Sequence, residues 1–136
     1  MNENSALISQ RCEELHKLLR NETIDHTTVT QMMDELIGLV KDAYWCSRLR
    51  DDFNWPFEEL IEKGHNEETI QLIKTILDKE DCSQVQGDLH LLMGICYFHL
   101  ERFEDAETEF VLAIDDDEDY ADEANPYRDA IREKLK

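Results

Sequence analysis

The chain has 136 residues, 41% of them hydrophobic and 35% charged, which suits one core of the size a single domain buries. Its 33 acidic and 14 basic residues give a net charge of −19, which repels nucleic acid and anionic membrane surfaces and speeds encounter with basic proteins. Only four glycines and two prolines interrupt it, and the apolar residues recur at helical intervals, so a sheet-rich or disordered chain is disfavoured.

The first periodic segment runs from about Ser5 to Arg20, with Ile8, Cys12, Leu15 and Leu19 on one helical face. After the polar break Asn21-Glu22-Thr23, a longer helix is predicted from Thr27 or Thr28, either of which can cap it. Its stripe is Val29, Met33, Leu36, Ile37, Val40 and Tyr44, continuing towards Leu49. Asn54 before Pro56 predicts the start of a short helix from about Trp55 to Lys63, closed by Gly64 in a left-handed conformation. Asn66 is placed to cap the next helix, whose Ile70, Ile73, Ile76 and Leu77 share a face.

Ser83 and Gln86 have the spacing of a capping box and open a helix carrying Val85, Leu89, Leu92, Met93, Cys96 and Leu100. Beyond the turn at Glu101-Arg102, the residues Phe103, Ala106, Phe110, Ala113 and Ile114 describe another helix, which runs into the acidic stretch Asp115–Asp119. A final helix is expected from Asn125-Pro126, using Tyr127, Ile131 and Leu135.

Within this pattern, residues 87–120 resemble a tetratricopeptide repeat, a 34-residue helix–turn–helix unit. Gly94 stands at the small position of the first helix with Tyr97 three residues on, and Ala106, Phe110 and Ala113 carry the A-x3-F-x2-A spacing of the second. His90 replaces the usual large apolar residue, and Glu118 the closing proline. Upstream, Glu67-Glu68-Thr69 with Ile73 and Ile76 aligns with Glu104-Asp105-Ala106 with Phe110 and Ala113, which suggests a degenerate earlier repeat. The expected fold is therefore all-α: about seven helices in antiparallel hairpins, stacked as a tetratricopeptide-like repeat. It forms one domain over 1–136, divided into an N-terminal hairpin (1–51), a degenerate repeat (53–86), a repeat (87–120) and a capping helix (121–136). Gly94 and Ala106 let helix backbones approach while Tyr97 and Phe110 fill the space beside them.

Several constellations bear on function. Asp115, Asp116, Asp117, Glu118, Asp119, Asp122 and Glu123 concentrate negative charge and are candidates for docking a basic partner, against the alternative of a solvated acidic turn. The 1, 3, 5 spacing of Asp115, Asp117 and Asp119 falls short of a calcium loop, because Tyr120 and Pro126 stand where Gly and a bidentate Glu are needed. Trp45, one step off the apolar stripe in the aromatic cluster Tyr44, Trp45, Phe53, Trp55 and Phe57, is a candidate partner anchor, while Trp55 and Phe57 are expected to lock the helix junction. Cys12 with His16 and Cys96 with His99 could each offer two ligands on one face, but both cysteines lie in apolar stripes and read as core. Cysteines 12, 46, 82 and 96 lack CxxC spacing, and there is neither a secretory leader nor a membrane-length apolar run, so reduced thiols and a cytoplasmic location are expected.

No phosphate loop, nucleophile elbow or zinc-protease motif is present; neither an enzyme nor a bound cofactor or metal is expected. Repeat proteins of the resembled family hold peptides or helices, which implies a protein-binding module here. Combined with the charge, that predicts capture of a basic protein, by an immunity protein that inhibits a cationic toxin or by a secretion chaperone for an exported client. The alternative is a scaffold or self-assembling adaptor, which would form a homodimer through the first two helices.

Overall fold

The computed structural model describes residues 3–21, 23–42, 55–79 and 87–136, and these form an all-α fold of seven helices and one 3-10 turn. The chain packs as two compact units, 1–81 and 82–136.

The first unit contains α1 (Glu3–Leu19), α2 (His26–Lys41), α3 (Phe57–Glu62) and α4 (Asn66–Lys79). In α1, Ile8, Cys12, Leu15 and Leu19 are each at most 1% exposed, so the predicted stripe is the buried face. They join Val29, Met33, Leu36 and Val40 of α2, Leu60 of α3, and Leu72, Ile73 and Ile76 of α4 in one core. Leu72 is buried where Leu77 was expected, and Leu77 and Ile37 are only half-buried. Trp55 stacks on buried Phe57 at the start of α3, with ring centroids 5.7 Å apart.

Helix starts in this unit differ from the expected ones. The cap of α2 is Asp25, not Thr27 or Thr28: its carboxylate accepts from Thr27 N at 3.1 Å and from Thr28 Oγ1 at 2.8 Å. A carboxylate here meets both the free amide and the positive end of the helix dipole. Asn66 is the first residue of α4 rather than its cap, with His65 before it; Thr69 N bonds to His65 O at 3.1 Å, and the buried Asn66 Oδ1 has no partner. Asn54, Ser83 and Gln86, with the continuation of the second helix towards Leu49, lie outside the described residues.

The second unit contains α5 (Gly87–His99), α6 (Phe103–Asp116), the 3-10 turn Glu118–Tyr120 and α7 (Ala121–Lys134). Helices α5 and α6 pack closely across a three-residue connection. A methyl group on Gly94 would lie 2.6 Å from Phe110 Cε1, so glycine is what lets the ring approach the helix backbone. Ala106, Phe110 and Ala113 are fully buried, and Tyr97 is nearly so. Tyr127 of α7 stacks on Phe110 (5.4 Å) and meets Phe98 edge to face (5.2 Å), while Phe98 also meets Phe103 (5.7 Å).

Helix α7 begins at Ala121 and carries Pro126 inside it, where a start at Asn125-Pro126 was expected. The earlier start buries Ala124 completely, and the helix gives up one backbone bond at Pro126 in exchange.

The two short inter-helix turns at Gly64 and Glu101 are alike. After α3, Gly64 (φ +88°) is followed by His65 N→Leu60 O (2.8 Å) and Gly64 N→Ile61 O (3.1 Å). After α5, Glu101 (φ +61°) is followed by Arg102 N→Tyr97 O (2.9 Å) and Glu101 N→Phe98 O (3.0 Å). Both are six-to-one, five-to-two C-terminal caps around a left-handed residue. The helices that follow, α4 and α6, are both 14 residues long.

Candidate protein-docking site

The acidic residues form the exposed end of α6, the 3-10 turn and the first turn of α7. Asp115, Asp116, Asp117, Glu118, Asp119, Asp122 and Glu123 are all exposed, and among the described residues none of them forms an ion pair. Four of the five lysines and arginines of the second unit are engaged elsewhere: Arg102 with Asp105 (3.0 Å), Arg128 with Glu107 (2.8 Å), Arg132 with Asp129 (3.1 Å) and Lys136 with Glu133 (3.0 Å). Among the described residues the negative charge of 115–123 has no ion-pair partner, and in high-dielectric surroundings it acts on approach more than on contact.

Two of the seven carboxylates also hold the backbone. Asp116 Oδ2 accepts from Gly87 N at 3.1 Å, tying the start of α5 to the end of α6. A methyl group on Gly87 would lie 2.5 Å from Tyr120 Cε2 and 2.7 Å from Asp116 Oδ2, so this corner is closely packed. Asp117 caps the 3-10 turn by accepting from Asp119 N at 3.0 Å. Among the described residues, Asp115, Glu118, Asp119, Asp122 and Glu123 have no such side-chain bond. Sequence pattern alone makes the run look uniform; the backbone contacts of Asp116 and Asp117 are visible only in the fold.

At the opposite end of α6, a shallow depression of about 310 Å³ is lined by Glu101, Arg102, Phe103, Glu104, Asp105 and Leu135. Arg102 lies over the Tyr97 ring at 4.7 Å. Neither histidine nor cysteine lines this depression.

The remaining candidates are distributed as follows. Cys12 and Cys96 are buried, and burial pushes both thiols up to about 12. His16 bonds Glu59 of α3, which also accepts from Arg20 Nε at 3.1 Å. His90 bonds Glu109 of α6 at 2.7 Å, so the residue that departs from the repeat pattern has a carboxylate partner on the facing helix. Exposed His99 meets the edge of Phe98 (5.9 Å). Among the described residues, no three His, Cys, Asp or Glu side chains converge as a metal ion requires, and no helix is long and apolar enough to cross a membrane. Trp45, Tyr44 and Phe53 lie outside the described residues.

One cluster has no counterpart in the sequence reading. His26 Nδ1 lies 2.7 Å from His65 Nε2, His65 Nδ1 lies 2.9 Å from Glu68 Oε2, and Thr30 Oγ1 donates to the same oxygen at 3.0 Å. The i, i+3 spacing of His65 and Glu68 is a signal for half of it; the partnership with His26, 39 residues away, is not readable from spacing.

The described residues define an all-α protein with an acidic corner that none of their bases pairs. The chain matches no protein-family model, no curated protein and no solved structure.

Proposed function

We propose that this chain is a non-enzymatic helical-repeat module of tetratricopeptide type whose acidic corner captures a basic protein. The observation that carries the reading is the set of seven exposed carboxylates between Asp115 and Glu123, none with a basic partner among the described residues. Such a patch steers a cationic partner and sets its register, and its contribution falls with salt.

The repeat assignment draws support from local geometry. The turns at Gly64 and Glu101, 37 residues apart, share one capping pattern. At the same offset, α4 (Asn66–Lys79) corresponds end for end to α6 (Phe103–Asp116), and fully buried Thr69, Ile73 and Ile76 to fully buried Ala106, Phe110 and Ala113. In this reading antiparallel hairpins repeat along the chain and α7 caps the apolar end of the last one.

Two forms of capture fit. An immunity protein would bind a folded cationic toxin tightly, with an association rate that falls steeply with salt; a secretion chaperone would hold an apolar segment of its client with weak salt dependence. The alternative is a self-assembling scaffold, which would show a concentration-dependent mass.

The test is affinity purification from native lysate, washed at low and at high salt, with two charge-reversed proteins in parallel. One carries Lys at Asp115, Glu118, Asp119, Asp122 and Glu123, leaving the backbone-holding Asp116 and Asp117 in place. The other carries Lys at the already paired Asp129 and Glu133. A basic protein retained by the parent and the second variant and lost by the first supports the reading. Equal retention by all three removes the acidic corner from the docking role.

A further inference from the structure

The His26–His65–Glu68 chain joins the start of α2 to the start of α4, the two helices with the most extensive packing in the first unit. Burial raises the tendency of Glu68 to hold a proton, but the bonds from His65, from its own backbone N–H and from Thr30 outweigh it and keep the carboxyl below its ordinary range. A carboxylate only accepts, so His65 Nδ1–H must donate to it, and His65 Nε2 is left as a bare acceptor facing His26. The 2.7 Å gap between the two rings then holds a single proton, donated by His26 Nδ1.

This arrangement limits its own proton content. His26 is an exposed residue, and its Nε2 can take up one proton with every bond in the chain kept. A second one has to go on His65 Nε2, and two N–H groups then point at each other across the gap. Both cations would also sit at helix N-termini, since His26 is the first residue of α2 and His65 immediately precedes α4, and the dipoles there disfavour positive charge.

We propose that His26, His65 and Glu68 form a proton-operated latch between α2 and α4, closed while the two rings share one proton and opened when both become cationic. The latch is independent of the docking reading. The charged groups bearing on it are Glu68 of α4, which bonds His65, and Asp25 of the turn before α2, which acts on His26. His16 of α1 and Arg20 just after it both bond Glu59 of α3. Glu62, Lys63 and Glu67, close to His65 in sequence, make no bond to it or to His26 among the described residues. His65 is 5% exposed and cannot accept a compensating water shell while the latch is closed.

The test follows the imidazole carbon–proton resonances and the backbone amides of the full chain by NMR from pH 8 to 5. In the parent, the resonances of both rings should change together, in two steps, because one proton bridges them. The amides at the starts of α2 and α4 should lose exchange protection in the second step. His26 is exposed, so His26→Gln should fold. Its amide offers His65 Nε2 a neutral partner, and it should titrate His65 in one step with the acid-induced loss of protection abolished. Independent single steps for the two rings in the parent, or the same acid-induced loss in His26→Gln, would overturn the latch.

Discussion

Gly94→Ala should destabilise the protein although alanine is the better helix former. The added methyl would lie 2.6, 2.7 and 3.0 Å from Cε1, Cδ1 and Cζ of Phe110, where relaxed carbon contacts need about 3.5–4.0 Å. That ring is fully buried and stacked on Tyr127, so retreat by about an ångström disturbs both the helix pair and α7. Overpacking of this kind costs about 1–3 kcal/mol, against which the propensity gain of alanine returns about 1. Gly38→Ala supplies the control, since a methyl there in α2 meets nothing within 4 Å and should add roughly 0.5–1 kcal/mol of stability. The difference between the two variants cancels propensity and isolates the contact with Phe110. Urea unfolding followed by circular dichroism measures it. A Gly94→Ala protein as stable as Gly38→Ala, within about 0.5 kcal/mol, would refute the packing argument. Phe110→Leu in the Gly94→Ala background should recover part of the loss, read as a coupling of about 0.5 kcal/mol or more in a double-mutant cycle.

Three further outcomes are expected. Glu101→Gly should raise stability by about 0.5–1 kcal/mol in the same unfolding assay, because a non-glycine residue at φ +61° is replaced by the residue that suits the left-handed cap. In a protein whose Cys46 and Cys82 are serine, Cys12 and Cys96 should resist a thiol reagent at pH 8 until denaturant is added, since both are buried and protonated; rapid labelling of either would contradict its core placement. Because Glu68 is held below its ordinary value of 4.5, its contribution is present above that pH and is lost as pH falls through the folded value. Glu68→Gln should therefore melt below the parent at pH 7, with a gap that closes in strong acid; a gap of constant size would mean that the carboxylate charge is not what matters.

Much of the secondary structure was legible because burial and helical period coincide. In α1 every predicted stripe residue is buried, and in α6 the triplet Ala106, Phe110 and Ala113 is fully so. Gly64 was recognisable as a helix terminator because few other residues adopt its conformation readily, whereas Glu101 occupies the same kind of cap with no composition signal to announce it. Helix starts were harder. Asp25 prevails over the threonines by charge and reach, and Pro126 sits inside α7 because burying Ala124 needs the preceding turn.

The sequence by itself determined the helical class, the acidic surface and the faces that turn inward, since period, composition and charge are properties of neighbours along the chain. Only the tertiary structure decided which carboxylates stand free and which hold backbone, and which ring each histidine or phenylalanine meets. Asp116 reaches Gly87 across 29 residues, and His26 reaches His65 across 39. Contacts at such separations depend on how helices cross, and one residue's position in a stripe does not specify the side chain that will face it.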